Sequence, residues 1–169
     1  RAVAHCHDLP IERVVLRARA ANHLLPQACK IHGRHAADGL GYARAVAVVQ
    51  AVPPLAVCAD VEGLQLVLRN LIENALKFSL EGSAPRIEIG ARQDEKTVTL
   101  WIRDSGIGFD MKYHERIFEI FQRLHRLEDY PGTGIGLALV KKAMQRMGGR
   151  VWAESVPGQG ASFYVQLPK

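Results

Sequence analysis

Residues Leu64 to Phe78 carry two stripes that leave little freedom in what the chain can fold into. Leu64, Val67, Leu68, Leu71, Ile72 and Leu76 recur with the 3.6-residue period of an α-helix that buries one side. Asn70, Glu73, Asn74 and Lys77 recur at spacings of three, four and seven, so they share a second face, about opposite the first. A polar stripe is usually a solvated face. Asparagine is a poor helix former, however, and two of them share this stripe. Paired amides suit a site that needs neutral oxygen ligands and hydrogen-bond donors.

Two glycine-bearing segments follow. Asp104-Ser105-Gly106-Ile107-Gly108 comes directly after a segment read as a strand ending at Arg103. A bare D-x-G-x-G can be a plain turn, but a carboxylate there can accept a hydrogen bond from the amino group of adenine. Guanine presents an acceptor at the same place and would be repelled. The glycines allow backbone to approach a ring closely. Gly132-Thr133-Gly134-Ile135-Gly136-Leu137 opens a helix running to Met147. Free amides at a helix start, unobstructed by side chains, form a seat for phosphate. Leu137 stands where a dinucleotide fingerprint needs its third glycine, and no Gly-Lys-Ser/Thr follows for a Walker loop. An Mg²⁺ carried by a nucleotide needs only one or two protein oxygens, which the amide stripe can supply. Between the two segments lie Phe118 and Phe121, then Arg123, His125 and Arg126, then Tyr130 and Pro131. The aromatics read either as core or as part of a mobile lid whose cations reach phosphates.

The remaining elements are read from period and punctuation. Ile11 to about Lys30 is expected to be a helix, bent or ended near Pro26. Val46–Val49 and Leu55–Cys58 read as short strands around a Pro53-Pro54 turn. Arg86–Ala91 and Thr97–Arg103 alternate strictly and read as an antiparallel pair. Tyr113–Arg123 reads as a short amphipathic helix, and Ile135–Met147 as another, stopped by Gly148-Gly149. Val151–Glu154 and Ser162–Leu167 close a hairpin around Pro157–Gly160. Strands and helices without regular βαβ alternation predict an α+β fold: a two-layer sandwich with a mixed, mostly antiparallel sheet covered by helices on one face.

Composition bounds the rest. The chain has 169 residues, 48% apolar and 23% charged, which suits one globular domain with a single core. No apolar run approaches the roughly 20 residues of a membrane span. The net charge of +5 is spread along the chain without a dense basic run, so no nucleic-acid partner is expected. Cys6, Cys29 and Cys58 are far apart and odd in number, which argues against a disulfide framework and for a reducing cytoplasm. His5, His7, His23, His32 and His35 crowd the first third, but their spacing with Cys6 fits no standard zinc pattern. The chain starts at Arg1 without an initiator Met and reads as a fragment of something longer.

Each motif alone is ambiguous, but their order is specific. Leu68–Phe78 resembles the N box, Asp104–Gly108 the G1 box, Arg116–Phe121 the F box and Gly132–Leu137 the G2 box of histidine kinase catalytic domains. Those domains share a Bergerat-type fold superfamily, known as GHKL, with gyrase, the Hsp90 chaperones and the MutL repair proteins. The stretch from Phe121 to Gly132 is similar to phytochrome-type and hybrid sensor kinases. The resemblance implies one domain over residues 1–169. Residues 1–50 would hold its first strand, helix and connector, and residues 55–168 the motif-bearing core.

It further implies roles. Asn74 would ligate Mg²⁺, Asn70 would contact the metal–phosphate region, and Lys77 would reach a phosphate of ATP. Glu73 is a candidate polarising residue. Asp104 would hold adenine in a pocket shaped by Gly106 and Gly108. Thr133, Gly134, Gly136 and Leu137 would seat the phosphates, with Arg123 reaching them from the lid. Ala161 stands where a hydroxyl residue commonly follows Gly160. The partners implied are the protein's own dimerisation and histidine phosphoacceptor domain and, indirectly, a response-regulator receiver domain, in a full-length homodimer. His7 is followed by Pro10, and Gly39, Gly41, Pro53 and Pro54 leave no room for two long helices before the N box, so His7 is not expected to be the acceptor and the piece alone is expected to be monomeric. Alternatives are a serine kinase of the anti-sigma type and a nucleotide-sensing module without transfer activity.

Overall fold

The computed structural model describes residues 12–16, 46–49, 55–79, 86–122 and 133–169. Strands β1 (Glu12–Leu16), β2 (Val46–Val49) and β3 (Leu55–Ala59) precede helix α1 (Val61–Lys77). Strands β4 (Arg86–Gln93) and β5 (Thr97–Asp104) follow, then two 3-10 turns, Met111–Tyr113 and Arg116–Phe118. Helix α2 (Gly136–Arg146), β6 (Arg150–Ser155) and β7 (Ala161–Pro168) complete the order.

The main sheet has five strands in the order β2-β4-β5-β7-β6. Every pairing in it is antiparallel except β2 on β4, which is parallel. Parallel neighbours need a long crossover, and α1 lies in the one between β2 and β4. Alternation on the strands sends Val98, Leu100 and Ile102 of β5 and Phe163, Val165 and Leu167 of β7 into the core. There they meet Leu64, Val67, Leu71, Ile72 and Ala75 of α1 and Val140 and Met144 of α2. The other face carries a cross-strand row of Trp101, Tyr164 and Trp152, with the last two rings stacked at 5.1 Å. The fold is therefore the expected two-layer α+β sandwich with a mixed, mostly antiparallel sheet.

Two expectations change. Glu12–Leu16 is a strand, not the start of a helix: it pairs antiparallel with β3, from Glu12 opposite Ala59 to Leu16 opposite Leu55. Val14 and Val15 favour that state, and the pairing partner overrides the helical period. β2 and β3 are strands as read, and they belong to different sheets. The amphipathic helix at Tyr113–Arg123 is absent. The two 3-10 turns end at Glu119, which is extended (φ −88°, ψ 153°), and Phe121 takes a left-handed φ of 63°. The rest of the expected first helix, the Pro53-Pro54 turn, the N-terminal histidines, and the segment 123–132 with Arg123, His125 and Arg126 lie outside the described residues.

Both helices have defined ends. Asp60 caps α1, its carboxylate accepting from the amides of Glu62 at 3.3 Å and Gly63 at 3.1 Å. Gly148, at φ 67°, stops α2 with Gly149 N–H donating to Met144 O at 2.8 Å, as the sequence implied. Asp60→Ala should cost about 1 kcal/mol through the lost cap, seen as a lower urea midpoint with an unchanged slope, while Asp60→Asn should retain most of the stability.

Candidate functional site

The end of α1, the turn after β5 and the β6–β7 corner meet through backbone. Ile107 N–H donates to Phe78 O at 2.9 Å and Gly158 N–H to Ile107 O at 2.7 Å. A Cβ on Gly106 would lie 2.2 Å from Phe78 O, so only glycine lets these segments close. Gly108, at φ 61°, turns the chain beside Val156 and Gly160.

Asp104 stands at the centre of this junction, only 7% exposed. Its Oδ1 accepts from Gly106 N–H at 2.8 Å and from Ala161 N–H at 3.2 Å. Its Oδ2 receives no hydrogen bond from any described residue. Burial pushes the carboxyl above the usual carboxylate range, and the two amide bonds pull against that shift. One oxygen is thus fixed by the fold while the other can accept a hydrogen bond from a ligand. The side chain of Ala161 is a methyl, but its amide supplies a hydrogen bond to Asp104. Any residue but proline has that donor, so residue type gives no signal for it.

The amide stripe lies on α1 as its spacing predicted. Asn70 Nδ2–H donates to Leu66 O at 2.9 Å, which fixes the amide, and Asn70 Oδ1 lies 2.6 Å from where a Cβ of Gly136 would be. The stripe is therefore in contact with the start of α2. The side chains of Glu73 and Asn74, both half-buried residues, hydrogen-bond to no described residue. Lys77 Nζ lies 4.5 Å from the centre of the Phe78 ring. Ile135, at the cap of α2, offers no side-chain acceptor to the first amides of that helix. Those amides are left for another acceptor. Thr133 is exposed beside them, and Gly134, Gly136 and Leu137 are half-buried. Phe121 N–H donates to Gly134 O at 3.0 Å and so ties the aromatic segment to this seat. The two readings of the aromatics divide: Phe118 is core at 7% exposure, whereas Phe121 is 72% exposed.

Among the described residues no three His, Cys, Asp or Glu side chains gather as a metal site. The donor set fits a cation held mostly by phosphate, with Asn74 Oδ1 as a neutral ligand.

Residues 59–169 match the family model described as histidine kinase-, DNA gyrase B- and HSP90-like ATPase, and the chain belongs to that family. The relatives that it matches within that family include a phytochrome and a sensor histidine kinase. It is 49% identical over 105 residues to cyanobacterial phytochrome A of a Nostoc species, a match covering 62% of the chain and 14% of that protein. It is 37% identical over 111 residues to the sensor histidine kinase WalK of Bacillus subtilis, covering 64% of the chain and 18% of that protein. The chain thus spans under a fifth of these relatives. A mycobacterial sensor histidine kinase, MprB, superposes with a TM-score of 0.76 at 24% identity, covering 94% of this chain and 97% of that one, which shows the shared fold.

Asp104→Asn keeps the shape but removes the charge. A carboxyl whose folded pKa is raised costs stability at neutral pH, and that cost is relieved as pH falls through the raised value. The variant should therefore melt unchanged or ~1–4 °C higher at pH 7. Wild-type protein should prefer ATP to GTP in calorimetry, and the variant should lose that preference, with ATP binding weakened by about 1.5–3 kcal/mol. A clear fall in melting temperature would show that the charge itself holds the junction together.

Proposed function

We propose that this domain binds ATP with Mg²⁺ and transfers the γ-phosphoryl group to a histidine on a separate two-helix dimerisation domain, from which it passes to a receiver-domain aspartate. The observation that carries the reading is the buried Asp104, with one oxygen open, at one end of α1, while uncapped amides of α2 meet the Asn stripe further along the same helix. Asp104 accepts from the adenine amino group, and Gly106 and Gly108 bring backbone against the ring. Asn74 would ligate the metal, Asn70 would hold the metal–phosphate region, and Lys77 and Arg123 would serve as cations for phosphate. Thr133, Gly134, Gly136 and Leu137 form the phosphate seat. Glu73 polarises the incoming acceptor. Held through Asn74, Mg²⁺ would supply positive charge against the charge developing on the transferred phosphoryl group.

Phosphoryl transfer is mostly positioning, so the domain needs its acceptor held in line. Ile120 and Phe121, 61% and 72% exposed, offer an apolar surface next to the seat for the acceptor helices. No described helix is long and apolar enough to cross a membrane, and we place the domain in the cytoplasm on the nature of its nucleotide. The domain extends over residues 1–169, acts as a monomer by itself, and serves a homodimer in the full-length protein.

Asn74→Ala should weaken nucleotide binding strongly with Mg²⁺ present and little in its absence. Equal losses in the two titrations would remove Asn74 from the metal. The function itself is tested by mixing the chain with a histidine-bearing helical hairpin from its own full-length protein and labelled ATP. Acid-labile, alkali-stable label should appear on the hairpin, slowly because the tether is missing, and none should accumulate on the chain alone. Label stable to acid, on serine, would overturn the reading.

A further inference from the structure

Ser155 is the last residue of β6 and is 9% exposed. Its hydroxyl uses both of its capacities within the protein: it accepts from Phe109 N–H at 2.8 Å and donates to Gly160 O at 2.8 Å. Nothing in the roles above uses this side chain. The two bonds nonetheless fall on the segments that shape the base end of the site.

Phe109 directly follows Gly108, so the first bond fixes where the glycine turn leaves β5. The second acts on the peptide joining Gly160 to Ala161. The carbonyl of that peptide is bonded to Ser155, and its N–H, on the opposite side of the same plane, points at Asp104 Oδ1 at 3.2 Å. A peptide next to glycine rotates easily, and Gly160 sits at φ 87°. Apart from Ser155, the Gly160 carbonyl receives, among the described residues, only the amide of Val156, at 3.4 Å. The hydroxyl is therefore the strong restraint on the plane, and it also polarises the N–H for the carboxylate.

We propose that Ser155 is a positioning residue for base recognition: through the Gly160–Ala161 peptide it holds Asp104 with one oxygen occupied and the other turned to the amino group of the base. This rests on the reading that Asp104 binds adenine. It extends that reading to a residue that touches no ligand.

The test compares ATP with purine riboside triphosphate, which lacks the exocyclic amino group, by titration with Mg²⁺ on wild-type, Ser155→Ala and Ser155→Thr proteins whose melting curves are recorded alongside. Wild type should prefer ATP. Ser155→Ala should lose about 5–10-fold in ATP affinity while binding the analogue within about twofold of wild type, and Ser155→Thr, which restores the hydroxyl, should recover most of the preference. Should Ser155→Ala fail to fold, Ser155→Cys, of similar size but a weak donor, gives the same readout. An equal loss for both nucleotides, or no loss for either, overturns the role of Ser155 and leaves Asp104 standing. A wild-type protein indifferent to the amino group overturns the reading of Asp104 and Ser155's role with it.

Discussion

A carboxylate buried at the end of β5 has to be satisfied, and the way this chain satisfies Asp104 determines how its segments meet. Its two donors are the amide two residues ahead and the amide that opens β7. The first requires a tight turn, and the second requires the β6–β7 corner to fold back over that turn. Backbone packs so closely here that Gly106 has Phe78 O within 2.2 Å of a would-be Cβ, and Gly160 has Asp104 O within 2.0 Å. A side chain at Gly106 would push the turn off the end of α1, and one at Gly160 would push the β6–β7 corner off Asp104. The glycines are thus consequences of where the charge sits.

Helix α1 sets the distance between the two halves of the site. Its C-terminal carbonyl at Phe78 accepts from Ile107 beside Asp104, and its Asn70 lies against Gly136 at the start of α2. Eight residues separate Asn70 from Phe78, about 12 Å of helix. The helix is anchored by a capped first turn and a buried face of Leu64, Val67, Leu71 and Ile72, so that spacing is rigid. A ligand with a base at one end and phosphates at the other is measured against core packing and not against loops.

The sequence was most legible where a pattern needs no partner. The α1 stripes, the β4–β5 pair, the β6–β7 hairpin and the Gly148 stop of α2 are set by local period and punctuation, and each stands in the structure as read. Reading failed where the partner decides. Glu12–Leu16 has no strict alternation, and its state comes from β3. The parallel placement of β2 on β4 depends on the crossover through α1 and has no local sign. At Tyr113–Arg123 the spacing of Ile117, Phe118 and Phe121 mimics a helical face, but the chain is pulled off that path by the bond from Phe121 N–H to Gly134 O. At the site, candidate side chains could be picked out by residue type. The Ala161 amide could not, because a backbone donor is present in nearly every residue.

Local rules are kept almost everywhere and broken together in one place. α1 is capped and α2 is closed by glycine, yet the start of α2 has no cap. Buried polar groups are bonded as a rule, yet among the described residues nothing bonds the second oxygen of Asp104 or the side-chain amide of the half-buried Asn74. Large apolar side chains are inside, yet Phe121 is exposed at a left-handed φ that costs a non-glycine residue energy. Each departure weakens the domain slightly, and under the proposed function each would be offset by a group that a nucleotide or an acceptor helix brings: an amino donor for Asp104, phosphate for the α2 amides, a cation for Asn74, apolar cover for Phe121. Scattered at random, such defects would only cost stability. Gathered between α1, the Asp104 turn and the start of α2, they support the proposed reading of one surface, suited to a metal-bearing nucleotide presented to another helix.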